Sequence, residues 1–555
     1  MKMFPPARLG VMALALAAAL PAFGQSSIPN AGQTLRELQQ QAPAAPQPAR
    51  ASLSVPADAD TRADAGQSFL VKSVRIEGNV RIAGRDLQPL VAGLAGRQAS
   101  LGELRAAAAR ITALYRERGF VVARGFVPAQ EIQDGVVLIT VLEGSLNSST
   151  VQNGSAVKTP VLEAVVKAQQ LEGKIIESAR TDRELLLLAD LPAVGAVNGK
   201  LKPGNAVGTS DLLIDVAAGK LREGDVSLDN YGNRYTGQTR LNGHVDINSP
   251  LGLGDRLSLR GTVTEENLLY GRVTYDLPVN SNGWRAGVAA SSSRYDLGRE
   301  FASLDAQGTA NTLGLYSSYP VLRGLNANVW VSAALDARKL KDQIRSTNVD
   351  TRKSATAGTF DVYGDLADAL GGGAYNTWHA TVVAGSLDID TAAAQSADQA
   401  GPRTSGNYRK FELAATRLQA ITGQTSAYAS LSTQWASKNL DSSEKFVLGG
   451  IYGVRAYPQG EGVGDAGLLA SAELRHDFTS GLQGSVFYDY GHVRFNENAF
   501  AAGANSTTLK GYGVTFGARY GAFNVKATLA WRGAQAALTA PDHSPRAWLM
   551  GGWSF

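Results

Sequence analysis

Two periodicities divide the chain. Up to about residue 222 apolar residues recur at helical spacing in separate patches, whereas beyond it apolar and polar positions alternate to the carboxyl end. Leu257, Leu259 and Val263 share one side of a strand opposite Arg256, Ser258, Arg260 and Thr262. Near the end Phe523, Val525, Ala527, Leu529 and Trp531 oppose Asn524, Lys526, Thr528 and Arg532 in the same way. In a soluble sandwich the apolar side would face a core, and in a membrane barrel it would face lipid while the polar side lines a lumen. Long strands with aromatic residues near their ends favour the barrel. The pattern predicts sixteen strands, starting near 225, 235, 252, 267, 283, 308, 324, 354, 375, 409, 424, 467, 482, 508, 523 and 546. An even count puts both barrel ends on the periplasmic side. Polar loops are expected outside at 339–353, 390–408 and 533–545.

Ahead of the strands lie two smaller α/β patterns. In the first, Val74 and Ile76 alternate with Arg75 and Glu77. A helix then follows on which Ser100 and Glu103 form a capping box and Leu104, Ala107, Ala108, Ile111, Leu114 and Tyr115 share a face. Gly119 stands where a left-handed cap is needed. The second repeats the order more faintly: Pro160 opens one helix, and Thr181 with Glu184 can cap another before Leu185 and Leu188. With no catalytic residues grouped in them, these modules read as docking units or structural spacers. Their sheet edges can accept an extended chain by strand addition.

Lys2 and Arg8 precede an apolar stretch at 9–20, and Ala22, Phe23 and Gly24 supply small residues where a signal peptidase reads. Twelve helical residues span about 18 Å, short of the roughly 30 Å hydrocarbon core, so a cleaved secretory signal is expected rather than an anchor. A short helix with Leu35 and Leu38 on one face follows at 29–41, then an Ala/Pro-rich stretch read as a linker to about 67. The expected divisions are 1–24 signal peptide, 25–67 helix and linker, 68–145 and 146–222 the two modules, and 223–555 the barrel.

Composition narrows the function. With 53 basic and 49 acidic residues the net charge is +4, too small and too mixed to imply nucleic acid. Cysteine is absent, which removes disulfides and thiolate chemistry. The five histidines, His244, His379, His476, His492 and His543, have no ligand spacing; His379 in particular reads as a barrel-wall residue, and neither metal nor cofactor is expected.

The longest connector, 437–466, contains KFVLGGIYGVRAYPQGEGVGD, too aliphatic and aromatic for a surface loop. Its expected destination is the lumen. In the strand beginning at 482, Gln483, Ser485, Asp489 and Gly491 share a face with Phe487 as the exception. Asp489 then points inward, where it can hold Arg455. The alternative is a solvated Arg455 and an Asp489 that lines the pore alone.

Taken together, PNAGQTLREL at 29–38, DNYGNRYTGQTRL at 229–241, SEKFVLGG at 443–450, VRAY at 454–457 and GSVFYDYG at 484–491 resemble the two-partner secretion transporters of the Omp85 superfamily. The resemblance covers nearly all of the chain after the signal. It implies an amino-terminal plug helix, two periplasmic POTRA domains and a 16-stranded outer-membrane β-barrel with an inward-folded sixth outer loop. Val454, Arg455 and Tyr457 carry over from the loop motif, and Phe487, Asp489 and Gly491 from the wall motif. Ala456 stands where the family usually has glycine. Trp553 and Phe555 look like the signal read by the barrel-assembly machinery, although a hydrophobic strand end explains them equally as packing. The implied function is secretion of a large, unfolded exoprotein with an amino-terminal secretion domain (an adhesin, haemolysin or contact-dependent toxin), with no enzymatic step. The alternative is a barrel-insertion factor of the same superfamily.

Overall fold

The computed structural model describes residues 28–40, 51–55 and 68–555. The expected signal peptide lies outside the described residues. Sixteen antiparallel strands from Arg222–Asp229 to Arg546–Ser554 form a closed barrel, each paired with its chain neighbour, and the first pairs with the last. The starts agree closely with the alternation pattern, the larger differences being 235 against Arg240 and 354 against Val349. Outward positions are apolar and open, as at Leu313, Leu335 and Phe523, while polar partners turn inward.

One expected loop is not a loop. Residues 339–353 continue the strands Ala327–Ile344 and Val349–Asp368, joined only by a single turn at Arg345–Thr347. Polar side chains there mark the strands' rise above lipid rather than the end of pairing. The expected loop at 390–408 includes a helix, Ala392–Ala400.

The first module packs Gly84–Val91 and Leu101–Glu117 on a sheet of Ser73–Glu77, Val136–Leu142 and Arg124–Phe126. Ser100 and Glu103 form the capping box, and Leu104, Ala107, Ala108, Ile111 and Tyr115 enter the core. Gly119 has φ +89°, the left-handed cap that glycine adopts without strain.

In the second module the helix Ser178–Ala189 begins a full turn before Thr181, so Thr181 and Glu184 lie within it and cap nothing. Thr181 instead donates to the Glu177 carbonyl at 3.3 Å. The sheet here gains an edge strand from the stretch read as linker: Ala51–Ser54 pairs in parallel with Val194–Pro203. This module docks on the barrel's periplasmic turns. Arg323 forks onto Asp190 at 2.7 and 2.8 Å, Arg183 donates to the Pro320 carbonyl at 3.1 Å, and Lys158 N–H donates to the Gly252 carbonyl at 2.9 Å.

Candidate functional site in the barrel lumen

The barrel interior holds two segments, the helix Ala31–Gln39 and the sixth outer loop, residues 437–465 between the strands Thr425–Ala436 and Ala466–Thr479. The loop reverses on itself: Phe446–Val447 pairs with Val463–Gly464, Leu448 N–H bonds the Gly462 carbonyl at 3.0 Å, and Val454 N–H bonds the Leu448 carbonyl at 2.7 Å. Its apolar tip, Leu448, Val454, Ala456 and Tyr457, packs against Phe487, Val493 and Leu509 of the wall. That burial explains the aliphatic composition of the connector.

Arg455 is 8% exposed and Asp489 fully buried. The guanidinium donates to both Asp489 oxygens, Nε at 2.9 Å and Nη2 at 2.6 Å, while Nη1 reaches Glu473 at 2.7 Å and Nη2 also reaches Ser471 at 2.9 Å. Its carbon centre lies 3.4 Å over the Phe487 ring. Phe487, the apolar exception on the inward face, is therefore the platform on which the cation stacks. The Arg455 backbone is held at both ends, N–H to Asp489 at 3.1 Å and carbonyl from Trp548 Nε1 at 2.7 Å. Glu473, Ser471 and Trp548 were not singled out in the sequence. Ser471 and Glu473 share the strand Ala466–Thr479, where the register sets them opposite Asp489 and Phe487, and Trp548 comes from the last strand, Arg546–Ser554.

Gly491 and Gly511 permit the close approach. A methyl on Gly491 would stand 2.7 Å from a Leu448 carbon, and one on Gly511 the same distance from the Ala456 methyl. Ala456 does not adopt a left-handed φ, so glycine's extra freedom is not used there. Tyr457 is buried and donates its hydroxyl to the Gln535 carbonyl at 2.8 Å.

The helix is capped by Asn30, whose side chain accepts Gln33 N–H at 3.0 Å, and Ala31 N–H donates to Asp342 at 2.7 Å. Leu35 and Ala31 bury against Tyr270, Tyr295, Leu297 and Leu340 of the wall, with Leu38 packed beside them. Arg36 pairs with Glu412 at 2.8 Å and donates to the Lys445 carbonyl at 3.2 Å. Charges then alternate into the loop: Lys410 bridges Glu412 at 2.8 Å and Glu444 at 2.9 Å, and Arg338 also meets Glu444. Helix and loop touch directly, since Ser442 donates to Asn30 at 2.5 Å and Gln459 to Gln40 at 2.8 Å. A polar cavity of about 460 Å³ remains beside them, lined by Leu38, Asp229, Arg240, His244 and Arg260.

His379 sits in the wall strand Ala374–Ile389, its Nε2 3.0 Å from Asp361. Trp553 and Phe555 lie together at the periplasmic rim, ring centres 5.0 Å apart, and Phe555 closes the seam by exchanging backbone bonds with Gly224 at 3.0 and 3.2 Å. Among the described residues no cluster of potential metal ligands occurs.

The family described as haemolysin secretion/activation protein ShlB/FhaC/HecB matches residues 208–520, more than half of the chain. The chain belongs to this family. A POTRA domain of the ShlB type matches residues 69–144. Among curated relatives, the heme/hemopexin transporter protein HuxB of Haemophilus influenzae (strain Rd) is 28% identical over 78% of each chain. The outer membrane transporter CdiB of Dickeya dadantii is 24% identical over 86% of this chain and 85% of its own. In fold, CdiB from Escherichia coli matches with a TM-score of 0.69 at 20% identity, covering 90% of this chain and 93% of that one. BamA from Haemophilus ducreyi lacking POTRA domains 1–3 matches at 0.52 and 13%, covering 88% and 100%. As a ShlB/FhaC/HecB-type protein, the chain is an outer-membrane transporter of two-partner secretion that exports a large partner exoprotein, with its POTRA domains in the periplasm.

Proposed function

We propose that this transporter is closed at rest by the helix Ala31–Gln39 and that the Arg455 fork sets the position of the sixth loop through every transport cycle. The reading rests on one observation: helix and loop share the lumen and are joined through alternating charges, half-buried at Arg36 and Glu412 and buried at Lys410 and Glu444. The unfolded exoprotein docks on POTRA modules at 68–145 and 146–222, the helix leaves, and the chain passes outward. Trp553 and Phe555 serve the assembly machinery before transport begins.

The exoprotein itself is proposed to serve heme or hemopexin capture, since HuxB is the relative matched at higher identity over most of the chain. Comparing the culture medium with and without this chain tests the reading. One large protein with heme or hemopexin affinity is expected to disappear from the medium while other outer-membrane barrels stay constant. Loss of those barrels with normal secretion would overturn it in favour of an assembly role.

A further inference from the structure

Four neighbouring wall strands, Arg285–Asp296, Ala306–Arg323, Ala327–Ile344 and Val349–Asp368, line up their outward residues in rows. Arg294 stands opposite Thr309, Thr309 opposite Lys341, and Lys341 opposite Arg352. The row beneath runs Ser292, Asn311, Lys339, Ser354, and two rows further down it has become Val288, Leu315, Leu335, Gly358.

The side each cation faces is fixed by its chain neighbours. Tyr295 and Asp342 meet in the lumen at 2.6 Å, Arg338 meets Glu444 there, and Lys353 reaches Asp441 at 2.6 Å. Successive strand residues point to opposite faces, so Arg294, Lys339, Lys341 and Arg352 point outward. Leu313, Leu315 and Leu335 are 63%, 57% and 61% exposed on that side and mark the top of the lipid band.

Arg352 is held by Asp350 at 2.9 Å, whereas Arg294, Lys339 and Lys341 form no close ion pair among the described residues, Lys341 acting on Asp350 only through space. The carboxylates nearby stand around them. Asp296 and Asp350 lie one row farther out, and Asp388 and Asp390 belong to the next strand and the turn after it. Lys339 and Lys341 are about 7 Å apart along their strand, and Lys341 lies about 10 Å from Arg294 across two strands. This places three unpaired cations at the upper edge of the lipid band, spaced for a head group with more than one phosphate.

We propose that this patch is a binding site for a phosphorylated glycolipid of the outer leaflet. Lys339, Lys341 and Arg294 take its phosphates in charge-assisted hydrogen bonds, and its acyl chains lie along Leu313, Leu315 and Leu335. Continuity with the lipid band selects a membrane lipid over an acidic extracellular protein, which would need no apolar rows beneath the cations.

The full chain and its K339E/K341E and K339Q/K341Q variants are placed in phosphatidylcholine nanodiscs carrying either bisphosphorylated lipid A or its dephosphorylated form. Glycolipid retained after washing is then counted by native mass spectrometry. Wild type is expected to retain the phosphorylated form about ten-fold more than either variant does, with heat-modifiable migration showing all three folded. Equal retention by wild type and variants, equal retention of the dephosphorylated form, or equal competition by phosphatidylglycerol would each overturn the proposal.

Discussion

Arg455 shows how a buried guanidinium is made tolerable: two donors occupy Asp489, others reach Glu473 and Ser471, and an aromatic face covers the plane. Removing one partner of such a pair strands the other charge, at a cost of about 3–5 kcal/mol. Arg455→Glu, with its like charge against Asp489 and Glu473, is expected to lower exoprotein secretion about ten-fold or more while barrel abundance holds. Unchanged secretion would remove Arg455 from the transport cycle. Arg455→Lys should recover only part of the loss, because an ammonium cannot span two carboxylates and a ring as a fork does. Ala456→Gly, by contrast, should leave secretion close to wild type, since Ala456 does not use a left-handed backbone. Asp489 and Phe487 were legible from the alternation of one strand. Glu473 was not, because its place opposite Phe487 depends on the exact register of the hairpin, and Trp548 was not, because nothing local reports that the last strand reaches Arg455.

At the scale of single elements, the lumenal helix relies on Arg36 for its link to the charged wall. Arg36→Glu opposes Glu412 and is expected to raise the frequency of open-pore conductance in planar bilayers; silent channels would separate the helix from gating. The helix Ser178–Ala189 of the second module carries a different tension. Glu184 is fully buried, neither carboxylate oxygen has a partner among the described residues, and burial first, then the nearby Glu172, push its carboxyl up to about 8. Its folded pKa lies above the ordinary value of 4.5. The unfolded chain therefore releases its proton first as pH rises, and the module loses stability between those two values. Amide exchange protection of this helix in the full chain should fall from pH 5 to pH 8, and Glu184→Met should remove that dependence. The capping expected from Thr181 and Glu184 failed because a Thr-x-x-Glu spacing fits a helix start, whereas this helix already begins at Ser178 and turns both side chains into its buried face.

The molecule as a whole was the most readable part, because alternation over sixteen strands is a signal that no single element carries. Errors fell where polarity and pairing part company, as in the extended hairpin above lipid at 339–353. The linker strand Ala51–Ser54 left no local trace, since a four-residue strand is specified by the edge it joins. That strand has a mechanical consequence. It moors the chain to the periplasmic module, and only ten residues lie between Gln40 at the end of the lumenal helix and Ala51, a leash with a reach of at most about 40 Å. Movement of the helix toward the cell exterior draws the leash taut, whereas retreat toward the periplasm slackens it. On the proposed reading, the plug leaves toward the periplasm.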